Sequence, residues 1–447
     1  FTNCKLMTLP NILFMHSHNT GQFVQPYGHA VPTPNIQKLA EQGILFRRAF
    51  AAAPTCSPSR AAFLSGMWAH SAGMLGLAHR GFRMQDYGVH IVRTLKANGY
   101  HTALAGVEHT APRLEAVGYD EILSGHDTNY PEQPEKRDAA EAAVDFLQRP
   151  HDAPFFLSFG LNETHRPFPP AQPELYPDED ARYCLPPPPF PDTPETRADM
   201  ADFKAAARAM DDAYGRALAA LDESGLADNT LVFCFSDHGL QFPLHMCNLT
   251  DRGLAVYLIV RGPGGFGGGR VVDALVSLID LVPTAYVAAG IEPPAFVQGH
   301  PLQPLIHGET DALHAEIFGE VTFHAAYEPM RCVRTDRYKY IQRYDGRTKP
   351  VLPNVDDTPS KQFLLDHNWP SQPRHQEMLY DLLFDPHEAH NLIDQPNYND
   401  ILSDLRARLE RWMIETNDPL LPDGQIDPPL GARYNDVNGL SPREPVI

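Results

Sequence analysis

The chain has 447 residues, 43% of them hydrophobic, and a formal net charge of −20, which is long enough for two or three units or for one large α/β domain with an appendage. Its acidic balance argues against nucleic acid and against an anionic membrane as partners, since both need a basic face, and no run approaches the ~18 apolar residues of a membrane helix. Six cysteines, at 4, 56, 184, 234, 247 and 332, show neither a C-x-x-C pair nor regular spacing, so no disulfide framework is expected.

No signal peptide is visible, and Met7 stands almost directly before the first strand. Phe1–Leu6 therefore reads as upstream sequence and the protein as cytoplasmic. Asn11–Ser17 is a short apolar run ending in polar residues, the pattern of a buried parallel strand. Its C-terminal end, where open α/β sheets bind ligands, delivers His16, His18 and Asn19. A helix is expected from Pro34, with Ile36, Leu39 and Ala40 on one face and its close at Gly43.

Next, Cys56 precedes Ser57-Pro58 and a helix-forming run, which places the thiol at a helix entrance whose unpaired N–H groups attract anions. Arg60, four residues on, shares its face and carries a planar, permanently charged fork. A lone cysteine before a helix is otherwise a buried small hydrophobe. Met67–Phe82, with His70 and His79, is glycine-rich and reads as a loop over this region.

A helix (Val89–Asn98) and a strand (Thr102–Gly106) lead into Val107-Glu108-His109. Another helix (Ala139–Leu147) and a buried strand (Pro154–Gly160) lead into Asn162-Glu163-Thr164-His165. Pro167–Pro194 is too proline-dense for helix or central strand and is expected to be an ordered surface loop. A long helix over Arg197–Ser224 follows, with Phe203, Met210, Leu218 and Leu221 inward.

Thr230–Ser236 is strongly strand-like and ends in Asp237-His238, where a carboxylate at a buried strand tip calls for a cation. Val256–Val260 is a strand, and Gly262–Gly269 is a turn without the G-K-[ST] ending of a phosphate-cradling loop. Val276–Ala285 reads as a helix. From about Ile317 the pattern shifts to shorter strands, within Pro329–Tyr344 and Glu377–Leu383, and to an amphipathic helix, Asp400–Glu415. The expected fold is α/β: a large mixed, mostly parallel sheet flanked by helices over residues 7–320, then a smaller C-terminal α+β unit, an antiparallel sheet plus one helix, over 321–447.

Cys56-Ser57-Pro58-Ser59-Arg60 with Ser65-Gly66 matches the C-x-P-S-R-x-x-x-x-[ST]-G signature of the type I sulfatases, of the alkaline phosphatase superfamily, at every fixed position. Pro329-Met330-Arg331, "L-Y-D-x-x-x-D-P-H-E-x-x-N-L" from Leu379 and "W-x-x-E-T-x-D-P" from Trp412 resemble its heparan N-sulfatase (sulfamidase) branch. The resemblance implies that a formylglycine-generating enzyme oxidises Cys56 to formylglycine, whose hydrate supplies the nucleophilic oxygen. It further implies that Arg60 supports the charge, His109 takes a proton from the hydrate and His165 protonates the leaving atom.

Positions 18 and 19 are where the family places two Ca²⁺-binding aspartates; here they are His18 and Asn19, joined by Cys56, Asp237 and His238. Two imidazoles and one formal charge suit Mn²⁺, Fe²⁺ or Zn²⁺ better than Ca²⁺. Val107 stands where the family has a sulfate-binding lysine, and His245 where it has a further substrate-binding cation; His324 is read as lining the pocket. The expected function is a metal-dependent sulfuric ester hydrolase (arylsulfatase type) cleaving a small sulfate ester or sulfamate. Asp237-His238 and the absent lysine leave open a phosphonate monoester or phosphodiester hydrolase. The substitutions at 18, 19 and 107 leave open a non-catalytic binding protein of the same fold, and a homo-oligomer also stays open.

Overall fold

The computed structural model describes residues 9–124, 138–421 and 424–447. Its centre is β1 (Asn11–Ser17), buried at all seven positions because it lies between two parallel neighbours, β5 (Phe155–Leu161) and β6 (Thr230–Ser236). Beyond β5 come β3 (His101–Gly106) and the short edge strand β4 (Glu121–Ser124). On the other side β6 meets β8 (Leu258–Arg261) in antiparallel fashion, then β2 (Ile44–Phe50) and β7 (Ala255–Val256), with β9 (Arg270–Ser277) parallel to β2.

Period-two alternation along β1 supplies both faces. Ile12 and Phe14 join a core with α2 (Cys56–Ser65), α3 (Ile91–Ala97) and α7 (Leu281–Ala288); Leu13 and Met15 join one with α1 (Pro34–Gln42), α4 (Ala139–Gln148) and α5 (Pro194–Glu223). Helix α5 begins three residues before the expected Arg197, because Thr193 and Thr196 form a capping box and Pro194 fits the first turn.

Two expectations are corrected. Residues 276–277 belong to β9, not to a helix, and α7 starts only at Leu281; parallel pairing of Val271, Val272, Leu275 and Val276 with β2 decides it. The single strand over 256–260 is two, parted at Tyr257, whose backbone N–H donates to Gly21 O and whose hydroxyl meets Ser17 Oγ at 3.0 Å.

The second sheet is antiparallel in the order β10 (Glu316–Phe323), β11 (Tyr327–Thr335), β12 (Tyr338–Arg343), β13 (Glu377–Asp381). The expected division at 320/321 falls inside β10. Short helices α6 (Asp251–Leu254), α8 (Gln303–Ile306) and α9 (Pro359–Asp366) lie in connections, and α10 (Asn399–Glu415) covers the sheet with Leu402, Leu405, Leu409 and Trp412. Ala62 of α2 and Trp68 belong to that same apolar cluster, so the C-terminal unit backs the helix that carries Cys56. A buried contact crosses the joint, His70 Nδ1 with Glu320 Oε1 at 3.0 Å, and a buried ion pair, Arg331 with Asp418 at 2.5 Å, lies behind it within the C-terminal unit. Among the described residues no helix is long and apolar enough to cross a membrane.

Candidate active site

Because β1, β3, β5 and β6 are parallel, their C-terminal ends lie side by side, with Ser17 opposite Leu161 and Ser236, and Gly106 opposite Gly160. Beyond those ends stand His18-Asn19, His109, Asn162 to His165, and Asp237-His238. Asn19 and His109 take left-handed backbone conformations, at φ 59° and 65°, uncommon for any residue but glycine. At His109 the turn is clasped by its neighbour: both Glu108 carboxylate oxygens accept from Thr110, and Oε1 also meets His90 Nε2 at 3.2 Å. Burial alone would raise the Glu108 carboxyl, but His90 and Thr110 hold it below its ordinary range.

Helix α2 brings Cys56 to these ends. The thiol stands 3.3 Å from His238 Nε2 and 3.7 Å from Asn19 Oδ1. One turn on, Ser59 Oγ donates to the Asp237 carbonyl at 2.5 Å, and Ser57 Oγ accepts from Ala78 N at 3.0 Å, tying the overlying loop to the helix. The guanidinium of Arg60, fully buried, donates to Asp237 Oδ2 and to His16 Nδ1, each at 3.0 Å. Asp237 Oδ1 accepts the backbone N–H groups of Asn19 and His238, each at 2.8 Å. This carboxylate, with charge-assisted bonds to both oxygens, is the hub of the site.

His18 Nε2 lies 3.4 Å from Asp237 Oδ2, and the ring stacks on His165 with centroids 4.5 Å apart. The His109 ring is edge-on to His18 at 6.0 Å, and its Nε2 is 3.0 Å from His79 Nδ1. His165 Nδ1 donates to the Arg166 carbonyl at 2.7 Å, which leaves Nε2 toward the Gln241 amide at 3.5 Å. Burial pushes His16, His18 and His109 well below the ordinary imidazole range, with Arg60 adding to the shift, and lowers His238 as well, against the pull of Asp237.

Of the residues singled out from sequence, His18, Asn19, Cys56, Arg60, Asp237 and His238 form one cluster, with His109 and His165 flanking it. His324, in the turn after β10, also approaches: burial drives it down to about 3, with Arg80, His238 and His79 adding and Asp356 opposing. His245 is a correction. Its Nε2 meets the Pro188 carbonyl at 2.8 Å and its ring packs among Phe23, Phe190 and Phe242, so it serves packing. Val107 adds only a backbone carbonyl toward Arg60, at 3.5 Å.

Sequence reasoning left unassigned His16, His79, Asn162 and Gln241. His16 and Asn162 occupy the strand ends already identified and His79 the loop read as lying over the site, which was their available signal; nothing local marks Gln241. Beside His165 the cluster opens into a cavity of about 360 Å³ whose lining includes Arg166, Asp199, Asp202, Gln241, Asp356 and Arg443. Gln241 Nε2 donates to Asp356 Oδ2 at 2.6 Å across it.

One donor atom from each of His18, Cys56, Asp237 and His238 lies within 4.8 Å of the others, and His18 Nε2 and Asn19 Nδ2 are buried without a hydrogen-bond partner. Such an array suits a divalent cation. It does not suit Ca²⁺, which takes six to eight oxygens, because beside one carboxylate and the Asn19 amide oxygen the donors are two nitrogens and a sulfur.

The sulfatase family model matches residues 10–291, and a second, described as N-sulphoglucosamine sulphohydrolase, C-terminal, matches residues 247–363. Human N-sulphoglucosamine sulphohydrolase is 29% identical over 458 aligned positions, covering 90% of either chain. An ulvan-active sulfatase of Formosa agariphila is 26% identical over 95% of this chain and 78% of its own length. Among solved structures, one in complex with its substrate D-glucosamine-2-N,6-O-disulfate superposes at TM-score 0.72 with 21% identity, over 93% of this chain and 100% of that one. A phosphonate monoester hydrolase from Silicibacter pomeroyi superposes at 0.66 with 19% identity, over 92% and 97%. These two structures share the fold.

Proposed function

The chain belongs to the sulfatase family, as a hydrolase of sulfate esters or sulfamates, and from that premise we propose that it acts on a sulfated amino sugar through a metal-dependent site centred on residue 56. The observation that carries this reading is the placement of Cys56 Sγ, 3.3 Å from His238 Nε2 within a ring of buried donors, at the start of a helix whose whole signature matches the family. Conversion of Cys56 to formylglycine by a formylglycine-generating enzyme would supply a nucleophilic oxygen, and a divalent cation held by His18, Asn19, Asp237 and His238 would supply positive field for the non-bridging oxygens.

The remaining work falls to the chain's own side chains. Arg60 holds Asp237 in place and keeps a positive charge beneath the reacting group. His165 presents Nε2 to the cavity, where in its protonated form it gives a proton to the departing nitrogen or oxygen. The His109–His79 pair shares a proton beside His18 and serves as the base on the opposite side. The carboxylates of Asp202 and Asp356 in the cavity wall suit the hydroxyl groups of a sugar.

The test compares initial rates on N-sulfoglucosamine, an aryl sulfate and the matching aryl phosphonate monoester, using protein whose Cys56 conversion has been verified by peptide mass. Fastest release from the sulfamate supports the reading. A second reading, phosphonate or phosphodiester hydrolysis, is favoured by Asp237-His238 and by the apolar Val107; fastest phosphonate turnover would select it.

A further inference from the structure

A four-coordinate Zn²⁺ with nitrogen, oxygen and sulfur ligands has bond lengths of about 2.0–2.3 Å, so neighbouring ligand atoms stand roughly 3.3–3.7 Å apart. In this chain His238 Nε2 and Cys56 Sγ are 3.3 Å apart, His18 Nε2 and Asp237 Oδ2 are 3.4 Å apart, and the four donors lie within 4.8 Å of one another. Two of the six separations thus already match those around a four-coordinate ion, and the other four are no longer than 4.8 Å.

Outer contacts already orient both rings. His18 Nδ1 lies 3.0 Å from Asn162 Oδ1 and His238 Nδ1 lies 3.1 Å from the Gly239 carbonyl. Both partners only accept, so each Nδ1 carries its proton and each Nε2 turns a lone pair inward. Asp237 is oriented by Arg60 and by two backbone N–H groups. Cys56 is placed by the first turn of α2.

We propose that the chain with Cys56 unconverted is a transition-metal protein, binding Zn²⁺ or a similar borderline cation through His18 Nε2, His238 Nε2, an Asp237 oxygen and the Cys56 thiolate. The inference rests on the identification of this cluster as a metal site but concerns the thiol form, which needs no turnover. Binding is balanced by one proton: the metal–sulfur bond forms as the Cys56 S–H bond breaks, and the proton leaves to solvent. Thiolate and carboxylate together then offset the cation beside Arg60. A thiolate donor is foreign to Ca²⁺ and favours softer cations, so the preference for transition metal is strongest before conversion.

The experiment uses the full chain produced without the converting enzyme, with the thiol verified by peptide mass, stripped by chelator and titrated with Co²⁺. The expected result is one Co²⁺ per chain, a near-ultraviolet thiolate-to-cobalt charge-transfer band, strong visible bands of a four-coordinate ion and release of one proton. Zn²⁺ displaces the cobalt and excess Ca²⁺ does not. Cys56→Ser, nearly isosteric, loses the charge-transfer band. Asn162→Ala, which acts through His18, keeps the band but weakens binding about 10–100-fold. A pale six-coordinate spectrum without charge transfer, or displacement by Ca²⁺ at matched concentration, would overturn the proposal. Because the key spectrum is read on the unsubstituted chain, it survives misfolding of a variant. Failure of the hydrolase assay on converted protein leaves this spectrum unchanged, so the two readings fail separately.

Discussion

Arg60 and Asp237 form a fully buried ion pair, with Arg60 Nη2 3.0 Å from Asp237 Oδ2 and neither side chain exposed to solvent. The pair joins the helix of Cys56 to the tip of β6, from which His238 also extends. It therefore bears on both stability and chemistry.

Arg60→Ala leaves the Asp237 carboxylate without its guanidinium. Removing one partner of a buried pair costs about 3–5 kcal/mol, expected as a large fall in the denaturant midpoint. Arg60→Lys restores charge but not the fork that also reaches His16, and recovers only part of the loss. A midpoint unchanged by Arg60→Ala would show that the pair contributes nothing net.

His165→Gln removes the ring whose Nε2 faces the cavity. With a sulfamate or an alkyl sulfate, kcat is expected to fall about 10²–10⁴-fold. With an aryl sulfate carrying a strongly acidic phenol the fall is much smaller, because that leaving group needs no proton. Equal losses on both substrates would assign His165 to positioning instead.

Within the C-terminal unit, burial would raise the Asp418 carboxyl, but Arg331 holds it below its ordinary value. A depressed folded-state value contributes stability above the unfolded carboxyl range, near pH 3.9; that contribution is lost as pH falls through the folded value. Unfolding free energy should therefore decline below about pH 4. Asp418→Asn should be less stable at neutral pH and show a flatter acid limb. Parallel acid limbs would remove this pair from the account.

His245→Phe keeps an aromatic ring among Phe23, Phe190 and Phe242 and loses the bond to the Pro188 carbonyl. Its KM should match that of the unsubstituted chain within about twofold, with a stability loss on the order of 1 kcal/mol. A KM raised tenfold with stability intact would return this histidine to the substrate.

How much was legible from residues alone varied with the range of the forces involved. β1, β5 and β6 were readable because a strand buried on both faces must be a continuous apolar run, and their polar tips marked His18, His165 and Asp237. The Cys56 helix was readable because Pro58 and the run after it are local helix signals. β9 was not, because Arg270–Ser277 becomes a strand only by pairing with β2, more than two hundred residues earlier in the chain.

Similar reasoning separates the site residues. The donor types at 18, 56, 237 and 238, and hence the misfit with an all-oxygen Ca²⁺ cage, follow from residue identity and need no coordinates. Which histidines join them does not. His245 and His79 look alike in sequence, each in an irregular loop, yet one is sealed among phenylalanines and the other stacks on His109 at 5.2 Å. The inward lone pairs of His18 and His238 and the burial of the Arg60–Asp237 pair were likewise set by folding. Hydrogen bonding and desolvation act over a few ångströms, and only the packed chain brings residues separated by hundreds of positions that close.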